Sequence, residues 1–150
     1  GLKDKKISNE VRQKSTIIEA TMNDALKFVF DEPNLKRLNN IQLGDSVIFR
    51  LTSTASADGM AHNALIINKE DAEEIGNFSD MDSSSISARK NSYVPLHDKK
   101  LASKVHAHST LIGPQETKEF VYEAKTKGDK TLICTFPGHW RIMFHNFTVK

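Results

Sequence analysis

Three residues with metal-binding side chains lie close together near the C-terminal end of the sequence. Cys134 is followed by Thr-Phe-Pro-Gly and then by His139, and Met143 comes soon after them. Because a Pro-Gly pair favours a tight turn, Cys134 and His139 can face one point from the two sides of a single loop. Met143 can approach the same point from the start of the next strand. The loop therefore offers a thiolate, an imidazole and a thioether sulfur to one metal ion.

With one more histidine, this donor set matches a type 1 copper site. In such a site one Cys and two His bind in a plane, and a Met binds weakly along the axis. Soft sulfur ligands favour Cu(I), whereas imidazoles accommodate both oxidation states, so little reorganisation is needed when one electron moves. The sequence thus predicts one copper ion per chain and single-electron transfer between partner proteins. It predicts an electron carrier rather than an enzyme, with no catalytic residues.

The second histidine ligand must come from another part of the chain. His62 immediately precedes the apolar run 63–67, which places it at the end of a core strand. The sequence therefore favours His62. The four remaining histidines compete with it less well, because they are expected on the surface, in a polar segment or in structural positions; they are His97, His106, His108 and His145.

Short runs rich in β-branched and aromatic residues recur along the chain, separated by turn-forming residues. Alternation within them, as at Val47, Phe49 and Leu51, gives each strand one face for a core. Seven or eight short strands predict a β-sandwich. The runs cover residues 15–20, 27–30, 46–52, 63–68, 119–123, 130–135 and 142–149.

Two segments differ from this pattern. Residues 69–104 are polar and serine-rich, and we expect a long, partly helical excursion outside the sandwich, with a short helix at 69–75. Residues 1–14 carry five basic and two acidic residues, and we expect a flexible tail or linker before a domain at 15–150. The positive charge of the chain lies in that tail rather than on the body, which argues against a nucleic-acid partner. No apolar run is long enough to span a membrane.

The ligand loop from Cys134 to His139, followed by Met143, resembles that of azurins within the cupredoxin family. Residues 60–63, Met-Ala-His-Asn, and residues 107–113, Ala-His-Ser-Thr-Leu-Ile-Gly, are similar to further azurin segments. The resemblance implies an all-β, Greek-key β-sandwich. It also implies a bacterial periplasm or outer cell surface, with a lipid or membrane anchor upstream of residue 1 as an option.

Position by position, the resemblance implies three equatorial copper ligands, one axial ligand, one weak backbone contact, and two N–H donors to the cysteine sulfur that tune the reduction potential. The equatorial ligands would be His62, Cys134 and His139, and the axial ligand would be Met143. The weak contact would come from the carbonyl of Ala61, and the N–H donors would be the backbone groups of Asn63 and Phe136.

The resemblance further implies an apolar docking patch around the edge of His139, where redox proteins such as cytochromes or copper enzymes would approach a monomer. In that patch Arg141 adds a positive charge that would select an acidic partner. Besides Phe136, the residues expected there are Met60, Pro137, Gly138, Trp140, Arg141 and Ile142.

Several features depart from azurins. Ala61 stands where azurins usually have glycine, which leaves open a four-ligand site without the carbonyl contact. A single cysteine precludes the azurin disulfide, and Trp140 and Arg141 replace small residues. Other interpretations remain open: a type 1 copper domain excised from a larger or membrane-anchored redox protein, zinc in place of copper, and a Cys–His nucleophile. The last is disfavoured, since Cys134 ends an apolar strand.

Overall fold

Eight strands form two four-stranded sheets that pack face to face. The computed structural model describes residues 1–150. One sheet has the order β2-β1-β3-β6 and the other β5-β4-β7-β8. Within the first sheet β1 and β3 are parallel, and every other pairing is antiparallel. The strands are β1 (Thr16–Met22), β2 (Phe28–Val29), β3 (Ser46–Ser53), β4 (Leu65–Asn68), β5 (Ala107–His108), β6 (Thr117–Glu123), β7 (Gly128–Ile133) and β8 (Phe144–Val149). The predicted β-sandwich is confirmed.

The main core lies between the two sheets. In β3 the predicted alternation holds, because Val47, Phe49 and Leu51 are fully buried members of one 21-residue apolar cluster. Phe49 stacks on Phe120 of β6 with ring centroids 5.4 Å apart. Burial of such side chains is the main favourable contribution to folding.

The excursion at 69–104 forms a helical layer on the outer face of the second sheet. It begins with a 3₁₀ turn at Lys69–Asp71. A second apolar cluster fills the space beneath, with Leu65 and Ile67 of β4 facing outward and Ile66 facing the main core. The expected short helix is therefore only the start of a longer helical segment. Its helices are α3 (Ala72–Met81), α4 (Ile86–Lys90) and α5 (Lys99–Ala102).

Two further helices lie outside the excursion, α1 (Asn9–Lys14) and α2 (Glu32–Leu38). The turn-forming residues 31–34, one of the separators between strand-like runs, instead begin α2, because Asp31 caps this helix by accepting from the Asn34 N–H at 3.0 Å. None of the helices is long and apolar enough to cross a bilayer.

Residues 1–14 contact the rest of the chain at both ends of the segment. The Leu2 N–H donates to the Lys90 carbonyl at 2.7 Å, and Arg12 in α1 forms two hydrogen bonds to the Glu119 carboxylate at 2.8 and 3.1 Å. The division of the chain into a linker at 1–14 and a domain at 15–150 stays a prediction.

Candidate metal centre

The loop after β7 is closed by backbone hydrogen bonds that bring its two ends together. The Cys134 N–H donates to the Met143 carbonyl at 3.0 Å, and the Met143 N–H donates to the His139 carbonyl at 2.9 Å. Gly138 has φ of +85°, a conformation that residues with a Cβ rarely adopt. The Pro-Gly turn inferred from the sequence therefore folds the loop so that Cys134, His139 and Met143 all point inward and are buried.

His62 reaches the loop because of the register between β4 and β7. Leu65 lies opposite Ile133, so the residues before Leu65 run alongside those after Ile133. His62 is held by paired backbone hydrogen bonds with Ile112, at 3.0 and 2.7 Å. Its fully buried ring thereby faces Cys134 and His139.

His62, Cys134 and His139 form one buried group of potential metal ligands. Their ligand atoms all lie within 4.8 Å of one another, and Cys134 Sγ lies 3.7 Å from His139 Nδ1. None of the other four histidines belongs to this group; His97, for example, pairs with Asp82 at 2.6 Å.

The protonation chemistry of these residues suits a metal ion. Neither ring nitrogen of His62 makes a hydrogen bond, although both are buried, and such orphaned groups call for a partner. Burial lowers the pKa of His62 to about 4, repulsion from His139 adds to the shift, and the Asn23 backbone and Asp24 oppose it. Burial also lowers the pKa of His139. Both imidazoles are therefore neutral at pH 7 and carry free lone pairs.

Without a metal, Cys134 is a protonated thiol. Burial raises its pKa to about 12, opposed by the backbone N–H groups of Asn63 and Phe136. The Asn63 N–H donates to Cys134 Sγ at 3.4 Å. Because copper and zinc bind the thiolate, a metal must displace the proton, and metal binding by this chain should release a proton near neutral pH.

The Asn63 side chain joins the strand of His62 to the ligand loop. Its Oδ1 accepts from the Thr135 N–H at 2.7 Å, and its Nδ2 donates to Thr135 Oγ1 at 2.9 Å and to the Ser92 carbonyl at 2.8 Å. Thr135 Oγ1 in turn donates to the Tyr93 carbonyl at 2.8 Å. Ser92 and Tyr93 have φ of +56° and +62°, so a strained turn of the excursion supports the site.

The sequence did not point to Ser92 and Tyr93 as supporting residues. The available signal was Thr135, directly after the cysteine, because a polar side chain at this position needs a hydrogen-bond partner from another part of the chain. Met143 is buried in the main core with Cys134, and Ala61 is half-buried. Their roles as axial contacts stay predictions.

The residues expected to form the docking patch differ in exposure. Gly138, Arg141 and Ile142 are exposed, whereas Met60 and Pro137 are half-buried. Trp140 is also half-buried, since its indole lies against Gly76 of α3 rather than in solvent. The docking role of these residues stays a prediction.

No protein-family model matches the chain. Among curated proteins it is 30% identical over 87 residues to the azurin of Alcaligenes faecalis, which covers 56% of this chain and 61% of that protein. It is 33% identical over 100 residues to outer membrane protein H.8 of Neisseria gonorrhoeae, covering 65% of this chain and 49% of that protein. The chain thus matches less than two thirds of the length of either relative.

A solved structure extends the likeness to nearly the whole chain. Auracyanin A of Chloroflexus aurantiacus, described as a "blue" copper protein, superimposes with a TM-score of 0.69 at 26% identity, covering 91% of this chain and 99% of that one. The chain resembles azurin in sequence and has the cupredoxin fold. In this fold the buried group of His62, Cys134 and His139 fits one type 1 copper site.

Proposed function

We propose that the chain is an azurin-like cupredoxin, an electron carrier that binds one copper ion through His62, Cys134 and His139, with Met143 as axial ligand. The observation that carries the proposal is the buried triad, whose ligand atoms lie within 4.8 Å of one another while both nitrogens of His62 lack a partner. When bound there, copper supplies a one-electron Cu(II)/Cu(I) couple.

The protein's own residues would keep that couple fast and reversible. Both imidazoles are neutral and fixed by backbone pairing or loop hydrogen bonds, so little needs to move when the charge of the site changes. Burial of the ligands excludes water from the site. The Asn63 N–H, together with that of Phe136, stabilises negative charge on the Cys134 sulfur and so contributes to the reduction potential.

The same residues argue against a Cys–His nucleophile. A catalytic thiolate needs a lowered pKa and access to substrate. Cys134 has no exposed surface, and burial raises its pKa to about 12. An electron carrier needs neither property, because electrons can tunnel to a buried metal centre that the partner protein does not touch.

Addition of Cu(II) to the purified copper-free protein tests the proposal. We expect one copper per chain, an intense band in the red from charge transfer between Cys134 sulfur and copper, and the EPR spectrum of a type 1 site. Cys134→Ser is the matched control, because it keeps a small side chain and removes the sulfur, and it should lose the band completely. A colourless wild-type adduct would contradict the assignment, and metal analysis would show whether zinc occupies the site.

We also propose that electrons pass through the surface formed by Met60, Pro137, Gly138, Trp140, Arg141 and Ile142, which adjoins His139. Self-exchange between two copies of the chain tests this surface without a natural partner. Ile142 is 49% exposed, so Ile142→Glu should slow self-exchange by about tenfold, since two carboxylates would meet across the encounter complex. NMR line broadening in mixtures of oxidised and reduced protein measures the rate.

Leu43 provides the matched control for this experiment. It is 48% exposed and lies before β3, at the end of the sandwich opposite the copper ligands. Leu43→Glu changes the net charge equally and should leave the rate close to that of the wild type. Equal slowing by both variants would assign the effect to net charge and exclude the docking surface.

The protein is proposed to work outside the cytoplasm, with cytochromes or copper enzymes as redox partners. One of its relatives is named an outer membrane protein, and the chain matches 49% of that relative's length. This observation also favours the second candidate, a type 1 copper domain of a larger or membrane-anchored redox protein. A longer reading frame in the gene would distinguish the two.

A further inference from the structure

Asp80, near the end of α3, contacts both neighbours of the copper ligand His139. Its Oδ1 accepts from the Gly138 N–H at 3.0 Å, and its Oδ2 accepts from Trp140 Nε1–H at 3.0 Å. The Arg141 guanidinium lies 3.6 Å from the same Oδ2. One carboxylate on the helical excursion therefore fixes the ligand loop on both sides of His139.

Packing around Trp140 reinforces these hydrogen bonds. The indole ring lies on the backbone of Gly76, so closely that a Cβ at this position would fall 2.2 Å from Trp140 Cδ2. Arg141 stacks on the same indole, with its guanidinium carbon 4.4 Å from the ring centroid, and donates to Asn77 Oδ1 at 3.1 Å. The indole therefore contacts both the helix and the guanidinium, and its N–H donates to Asp80.

The carboxylate also brings a negative charge close to the ligand set. Asp80 Oδ1 accepts from the backbone N–H of Gly138, the residue directly before His139, which places the carboxylate beside this ligand. The Asp80 side chain is 26% exposed, so solvent screens that charge only in part. A bound copper ion gains one positive charge when it is oxidised, and a nearby anion favours that state.

We propose that Asp80 is a positioning residue of the copper site: it holds His139 in place through Gly138 and Trp140, and its negative charge lowers the reduction potential. The inference rests on the proposed copper function. It also gives Trp140 and Arg141 a role in the loop's attachment to α3, in addition to any role in docking.

The attachment can be tested in the copper-free protein, because Trp140 is the only tryptophan in the chain and gives a unique indole N–H signal. In Asp80→Asn one of the two carboxylate oxygens becomes an NH2 group, so the hydrogen bonds from Gly138 and Trp140 cannot both be kept in the present geometry, and neither would reach a charged acceptor. We expect hydrogen exchange of the indole N–H to become about ten- to a hundredfold faster, as for loss of a hydrogen bond to a charged group. An unchanged exchange rate would overturn the proposal.

Asp82→Asn is the matched control on the same helix. Asp82 caps the end of α3 and pairs with His97, and it makes no hydrogen bond to the ligand loop. The Asp82→Asn substitution removes the same charge as Asp80→Asn and should leave hydrogen exchange of the Trp140 indole N–H at the wild-type rate. If Asp80→Asn does not fold, Asp80→Ser removes the same charge and gives the same readouts.

The reduction potential of the copper-loaded variants tests the electrostatic part. Asp80→Asn should have a higher potential than the wild type, whereas Asp82→Asn should match the wild type. Trp140→Phe, which keeps the carboxylate but loses the N–H donor, should shift the potential less than Asp80→Asn. Equal potentials in Asp80→Asn and Asp82→Asn would overturn the proposal. A wild-type protein without the charge-transfer band would instead refute the copper function, while the exchange experiment would still report on the loop.

Discussion

The copper-free protein is expected to lose about 3 kcal/mol of its free energy of unfolding when the pH falls from 7 to 4. The cause is His62, whose pKa is about 4 in the folded protein and about 6.5 in an unfolded chain. Below pH 6.5 the unfolded chain takes up a proton that the buried ring refuses, so stability is fully present above this pH and is lost as the pH falls towards 4. Each pKa unit corresponds to about 1.4 kcal/mol. The pKa of His139 is lowered as well, so this residue adds to the loss.

Urea unfolding at a series of pH values measures this dependence. His62→Met replaces the ring with a neutral side chain of similar volume, and its stability should fall much less over the same range. His145→Met controls for the loss of a histidine as such, because His145 lies in β8 outside the ligand group. If His62→Met followed the wild-type curve, burial of a neutral His62 would not be the source. Bound copper should raise stability at neutral pH, because it binds only the folded site.

The sequence predicted the strands that have one face in the core, but it did not predict the short capped helices. In β3, alternation at Val47, Phe49 and Leu51 reports directly which side chains face the core. β4 is apolar on both faces, and in the sequence it is a continuous apolar run. The structure gives the reason, because the helical layer covers the outer face of this strand. α4 begins at a serine cap, Ser85, and has only five residues, too few to show a helical period.

The residues of the candidate site also differ in whether the sequence alone could identify them. Cys134, His139 and Met143 share one loop, so their spacing and the Pro-Gly turn between them are enough to bring them together. His62 could be chosen because the end of a core strand is a fixed place in a sandwich. Asp80 could not be chosen, since its contacts with Gly138 and Trp140 span about sixty residues and depend on how α3 packs on the loop. Nothing in the sequence around Asp80 sets it apart from the neighbouring acidic residues.

Gly76→Ala is expected to destabilise the protein by about 2 kcal/mol, although alanine is the better helix former. In an exposed helix this change would stabilise by up to about 1 kcal/mol. Gly76 is buried, and the new Cβ would lie 2.2 to 2.6 Å from three atoms of the Trp140 ring. A shift of the ring away from the helix would disturb its hydrogen bond to Asp80 and its stacking with Arg141. Overpacking therefore outweighs helix propensity, and urea unfolding of the copper-free protein measures the net effect.

A double-mutant cycle with Trp140→Ala shows whether the indole causes this loss. Removing the ring leaves space for the methyl group, so in the Trp140→Ala background Gly76→Ala should become neutral or stabilising by up to about 1 kcal/mol. The effect of one substitution would then change sign, with a coupling energy of about 2 to 3 kcal/mol. The same loss in both backgrounds would mean that the clash lies elsewhere in the helix. A change of sign would establish that α3 and the ligand loop fit together only because position 76 has no side chain, which ties the helical excursion to the geometry of His139.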